Sequence, residues 1–153
     1  MKTADKEKTY TAKQSITIAA PRSRVWDALT KPEIVKQYFF GTNVESDWKK
    51  GSKIRWTGEW EGKAYEDKGT ILDIEKEKLL KYNYYSTFSG KPDVPENYHV
   101  VTYRLVEMGG NTEYIVEQEG LETEDAARHS EQNWAHIMEA LRKLLEKGKK
   151  GAV

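Results

Sequence analysis

From Gly41 to Gly120 the sequence alternates polar and apolar residues, with turn-forming residues at short intervals. A stretch of that length with a period of two is met by a meander of antiparallel strands. The clearest strand is "SKIRWTGEW", where Ile54, Trp56, Gly58 and Trp60 share one face and Arg55, Thr57 and Glu59 the other. Further strands are expected at 42 to 47, 64 to 75, 79 to 86, 98 to 107 and 112 to 119, the last two joined by the hairpin "EMGGNT". One side of this sheet is aromatic and the other is wet. The period then changes: after Thr123, an N-cap followed by acidic residues, "EDAARHSEQNWAHIMEALRKLLEKG" reads as a helix stopping at Gly148. Trp134, Ile137, Met138, Leu141, Leu144 and Leu145 make its apolar stripe.

Ahead of the meander, "YTAKQSITIA" at 10 to 19 reads as a first strand with Ile16 and Ile18 inward. Pro21 suits the first turn of a helix over 21 to 29, which Pro32 ends, and a second short helix runs to Tyr38. The order implies an α+β fold: a curved antiparallel sheet of about six or seven strands wrapped around a long C-terminal helix, with two short helices after strand 1. At about 1.5 Å per residue the last helix spans roughly 35 Å and is expected to lie across the concave, aromatic side. A twisted sheet does not close flush on a straight rod, so space is expected between them. The aromatic residues Trp26, Tyr38 and Phe39 of the short helices would stop one end of that space.

Composition bears on what fills it. The 153 residues form one expected domain over 1–153, with 1–9 and 149–153 as loose ends. Lys plus Arg and Asp plus Glu are 25 each, so no global field draws the chain to nucleic acid or an anionic membrane. The absence of cysteine excludes disulfides, thiolate catalysis and Cys-ligated zinc. The start "MKTADKEKTYTAK" lacks an apolar targeting segment, and no run is long enough to insert into a membrane, so a cytoplasmic location is expected.

The segments "ITIAAPRSRVWDALTKPEIVKQYF", "KGSKIRW", "DKGTILDIEKEKLLKYNY" and "NWAHIMEALRKLLEKG", in this order from about residue 12 to 147, resemble the START-like (SRPBCC) superfamily of helix-grip proteins. Within it they are similar to the branch named after the activator of heat-shock-protein-90 ATPase. The resemblance implies a scaffold role for Ala20, Pro21, Arg24, Val25, Trp26, Asp27, Ala28 and Leu29, for Gly69, Ile71 and Leu72, and for Trp134, Leu141, Leu144 and Leu145. It also implies a cavity between helix and sheet, which in related branches holds lipids, sterols, polyketides or plant metabolites. The loop "STFSGKPDVPENYH", over 86–98, is either a lid or a plain connection.

Alternation assigns Trp56, Trp60, Tyr82, Tyr84, Tyr103, Tyr114, Gln118, Trp134 and Met138 to ligand contact, with Val101, Leu105, Val116, Asn133 and Ile137 also inward. The competing reading is that these aromatics only fill the core. Many buried tyrosines on one face argue for water or a ligand to satisfy their hydroxyls. His129 and His136 stand about 10 Å apart along the helix, too far to share a metal, and read as solvated or as making a capping hydrogen bond. His99 reads as an acid or base at the cavity mouth. The carboxylates of "GEWEGKAYEDKG" read as an outer face or hairpin. There is no nucleophile elbow, phosphate loop, dinucleotide fingerprint or HExxH pair, so no cofactor, metal or catalytic residue is expected. The favoured partner is a hydrophobic small molecule bound without an assigned reaction. A cyclase- or hydrolase-like enzyme using the same cavity is the alternative, and a chaperone-ATPase regulator or a weak homodimer ranks below it.

Overall fold

The computed structural model describes residues 9–39, 41–86 and 90–151, apart from the side chains of Trp60 and of residues 148–151. The chain forms β1 (Tyr10–Ile18), α1 (Arg22–Thr30), α2 (Pro32–Tyr38), β2 (Asn43–Ser46), β3 (Lys53–Trp60), β4 (Lys63–Glu75), β5 (Leu79–Tyr85), β6 (His99–Met108), β7 (Asn111–Leu121) and α3 (Glu124–Gly151). The seven strands make one sheet in the order β1-β7-β6-β5-β4-β3-β2. Every pair in it is antiparallel. The meander therefore folds strand by strand on its neighbour, and β1 returns to its far end beside β7.

Local chemistry fixes the register. Gly109 and Gly110, with φ of 58° and 94°, turn the β6–β7 hairpin so that Met108 faces Asn111. Two successive positive φ angles are what a two-residue hairpin needs. Gly69 has a different reason: a Cβ there would fall 1.7 Å from the Asn83 carbonyl oxygen of β5, so a side chain has no room. The Thr123 hydroxyl caps α3 by accepting from the Ala126 N–H at 3.0 Å. The expected stop at Gly148 is passed, and the helix runs to Gly151. A glycine costs only about 1 kcal/mol inside a helix that has already propagated.

As expected, α3 lies over the concave side of the sheet, and its anchorage is at the β1 edge: the Lys13 N–H donates to Glu131 Oε2 at 2.9 Å and the Ala19 N–H to Glu146 Oε2 at 3.0 Å. Gln14 Nε2 adds a bond of 3.1 Å to the Glu131 carbonyl. Fifteen helical residues at about 1.5 Å match six strand residues at about 3.3 Å, so β1 and α3 run side by side over roughly 20 Å. The C-terminal half of α3 is closed down by α1, with Arg24 donating to the Leu145 carbonyl at 3.2 Å. Ile18, Val25, Ala28 and Leu141, none of them exposed, form the core at this end. Strands β3 to β5 face the helix across open space.

Candidate functional site

A cavity of about 570 Å³ opens between the first half of α3 and the concave face of the sheet. Its helix wall is Ala126, His129, Ser130, Asn133, Trp134 and Ile137, spaced by three and one, which is a single face of a helix. Its sheet wall is Trp56, Tyr65, Asp67, Tyr82, Tyr84, Val101, Gln118 and Leu121, and Phe39 and Thr42 close the end nearest α2. Phe39 reaches Trp134 edge-on, with ring centroids 6.2 Å apart, and Tyr38 is held by its hydroxyl donating to the Ala28 carbonyl at 2.7 Å. The short helices thus supply the stop, through Phe39 and its support.

Of the residues expected at a ligand, Trp56, Tyr82, Tyr84, Gln118 and Trp134 line this cavity. Tyr103, Tyr114 and Met138 do not: they lie in the core behind it, 6%, 1% and 1% exposed. The side chain of Trp60 falls outside the described residues. The Tyr82 and Tyr103 hydroxyls meet at 2.8 Å, and Tyr103 also bonds to Tyr114. Among the described residues no buried side-chain polar atom lacks a partner. Tyr82, Tyr103 and Tyr114 satisfy one another, and Tyr38 and Tyr65 bond to the Ala28 carbonyl and Thr42, so these hydroxyls need neither water nor a ligand as partner. Burial pushes the ionisation of Tyr84 and Tyr103 up to about 12 and raises Tyr38, Tyr82 and Tyr114 well above the ordinary value, so these phenols stay neutral at ordinary pH.

Gln118, 7% exposed, organises the polar end. Its Oε1 accepts from Trp134 Nε1 at 3.0 Å and from Ser130 Oγ at 2.5 Å. An indole N–H can only donate, so this contact fixes which way the amide points. Gln118 Nε2 must then donate to His99 Nδ1, 2.9 Å away, which makes His99 a neutral imidazole with its proton on Nε2. Burial, and then the charge of Lys91, pull the His99 pKa below its ordinary value, against an opposing pull from Glu122. His99 is consequently not a base at the mouth: the lone pair it would use is engaged by Gln118. His129 was expected on a solvated face; it is exposed, and it sits on the cavity rim.

Asp67 is the residue the sequence reading assigned to the outer face. It pairs across from Trp56 and points inward, as Tyr65, Gly69 and Ile71 do at steps of two along β4. Counting back from Ile71 would have found it. Gly58, on the same face of β3, leaves room for the Tyr65 ring, whose hydroxyl would lie 2.7 Å from a Cβ there. The 86–98 segment is described from Gly90 onward, residues 87–89 lying outside the description. Asp93 ties it to the sheet surface through Lys68 at 2.5 Å and accepts from the Tyr98 hydroxyl at 2.6 Å, while Tyr98 stacks on Tyr85. None of residues 90–98 lines the cavity. Among the described residues no three His, Asp or Glu side chains are grouped to hold a metal, and no helix is long and apolar enough to cross a membrane.

The architecture recurs in solved structures. The solution structure of ChR145 from Cytophaga hutchinsonii is 50% identical, with a TM-score of 0.81 over 92% of this chain and 97% of that one. The crystal structure of MLL2253 from Mesorhizobium loti is 22% identical, with a TM-score of 0.71 over 92% and 98%. That of CalU16 from Micromonospora echinospora is 21% identical, with a TM-score of 0.66 over 88% and 84%. The last two share the fold alone. No curated protein matches the chain. The sequence model of the activator of Hsp90 ATPase homolog 1-like proteins matches residues 19–146, which takes in α1, the whole meander and most of α3. On that match, and with the helix-grip arrangement the structure shows, the chain belongs to the activator of Hsp90 ATPase homolog 1-like family.

Proposed function

We propose that the protein binds a small, predominantly apolar molecule in the cavity beside α3. The observation carrying this is volume: about 570 Å³ stands open within an otherwise packed helix–sheet interface, inside the size range of small-molecule sites. Its wall combines aromatic rings with a few polar groups, Gln118 and Ser130 held by hydrogen bonds and Asn133 beside them, an arrangement that orients a guest. The cyclase- or hydrolase-like alternative, with a Tyr or His99 as acid or base, has less support, because His99 is bonded to Gln118 and lies outside the cavity lining and burial holds the lining Tyr82 and Tyr84 in their neutral form. Regulation of a chaperone ATPase rests on the family name, with no surface feature here to favour it.

Trp56 and Trp134 stand on opposite walls, so their emission is the direct readout. Titration with a library of hydrophobic small molecules is expected to change tryptophan emission and to raise the melting temperature for at least one compound. At a ligand concentration of 100 times Kd the gain is about 2.7 kcal/mol. Unchanged emission and melting across the library would remove the binding role and leave the fold.

A further inference from the structure

Asp67 gives the cavity a sign. It is the one carboxylate in the lining, and neither lysine nor arginine lines it among the described residues. The strand register sets Asp67 directly across from Trp56, and Tyr65 lies two residues away on the same face. Side chains so paired have Cβ atoms about 4.5–5.5 Å apart, and same-face neighbours along a strand are about 7 Å apart. The Trp56 and Tyr84 rings stand almost perpendicular, at 86°, with centroids 5.8 Å apart. They form a corner rather than a stack, with Tyr84 placed across from Gly69, two residues along from Asp67. Tyr84 feels the carboxylate: after burial, the charge of Asp67 is the next cause keeping its hydroxyl protonated.

A half-buried carboxylate beside Trp and Tyr rings makes a place where a cation is attracted twice, by the carboxylate charge and by the quadrupole of a ring whose face it meets, and both effects strengthen as water is excluded. An anionic or uncharged head group would have neither. Building on the binding role proposed above, we infer that the ligand carries a cationic nitrogen, an amine or quaternary ammonium, seated against Asp67 in the corner of Trp56, Tyr65 and Tyr84, with its apolar body running toward Trp134. His129 on the rim is the titratable group on the facing helix, and its protonation would oppose this cation.

The test separates charge from cavity. The neutral fluorophore N-phenyl-1-naphthylamine is bound first, then displaced by benzyltrimethylammonium or by its uncharged isostere neopentylbenzene, in the wild type and in Asp67→Asn. The expected result is at least a tenfold preference for the cation in the wild type, falling below threefold in Asp67→Asn, with the isostere's affinity unchanged. Equal displacement by the two probes in the wild type, displacement by neither, or a preference that survives Asp67→Asn overturns the inference while the bound fluorophore upholds the cavity. Failure of the fluorophore to bind defeats the cavity reading and the inference with it. If Asp67→Asn does not fold, the wild-type preference decides alone, and a value under threefold overturns the inference.

Discussion

The two halves of α3 face the same sheet and do opposite things. The C-terminal half presents Met138, Leu141 and Leu145 to a core in which none of the three is more than 5% exposed. A crevice beside that core, among Leu29, Val44, Ile54 and Tyr103, has about 10 Å³, barely room for one water. The N-terminal half presents Ser130, Asn133 and Trp134 to about 570 Å³ of open space. Phe39, Trp56 and Tyr82 touch both gaps and form the partition. The difference shows that hollowness here is a property of side-chain choice and coverage. Where α1 backs the helix and the stripe is Leu and Met, the interface closes; where the stripe turns to Ser and Asn, it stays open.

That contrast can be broken most directly with two tyrosines. Tyr103 lies in the packed region and Tyr84 on the open wall. Tyr103→Ala is expected to cost about 3–5 kcal/mol, because it empties a buried, packed site. Tyr84→Ala should cost well under half as much, since a side chain facing a void has already forfeited contacts on that side. Chemical denaturation of both variants compares them, and equal losses would mean that the cavity is filled or collapsed in solution.

Gln118 ties the open half of α3 to the sheet through bonds to Ser130, Trp134 and His99. Replacing it by leucine of similar size leaves the Trp134 N–H and the His99 ring without their partner. A loss of about 1–3 kcal/mol is expected, the usual penalty for stranding buried polar groups. Red-shifted emission of Trp134 would accompany it if cavity water takes the vacant place. An unchanged spectrum and stability would mean that Gln118 does not organise the polar end.

The smallest expected effect is a pH dependence. The His99 pKa is lowered in the folded chain, so between that value and the unfolded one, about 6.5, the unfolded state binds more protons. The stability this group contributes is thus fully present above pH of about 6.5 and is lost as pH falls through the folded pKa. Protonation also turns His99 Nδ1 into a donor facing the Gln118 N–H, breaking their bond. A shallow loss of stability below pH of about 6.5 should be absent from His99→Gln, and a slope of the same size in that variant would assign the effect elsewhere.

The sequence alone determined the elements and most of their faces. Period two from Gly41 to Gly120, Pro21 and Pro32 beside the short helices, and Thr123 before α3 each set local backbone chemistry, which acts within a few residues and needs no tertiary partner. Inward assignments for Trp56, Tyr82, Tyr84, Gln118 and Trp134 followed from the same alternation. Only the tertiary structure decided which inward residues meet empty space. Tyr103 and Asp67 have equally clear parity, yet one is sealed in core and the other opens on the cavity. The cause is non-local: β1 pairs with β7 at the far end of the sheet, and hydrogen bonds from Lys13 and Ala19 hold α3 along that edge. Which half of α3 a position faces, and what packs over it there, then sorts filled positions from hollow ones, and the alternation along one strand carries no measure of either.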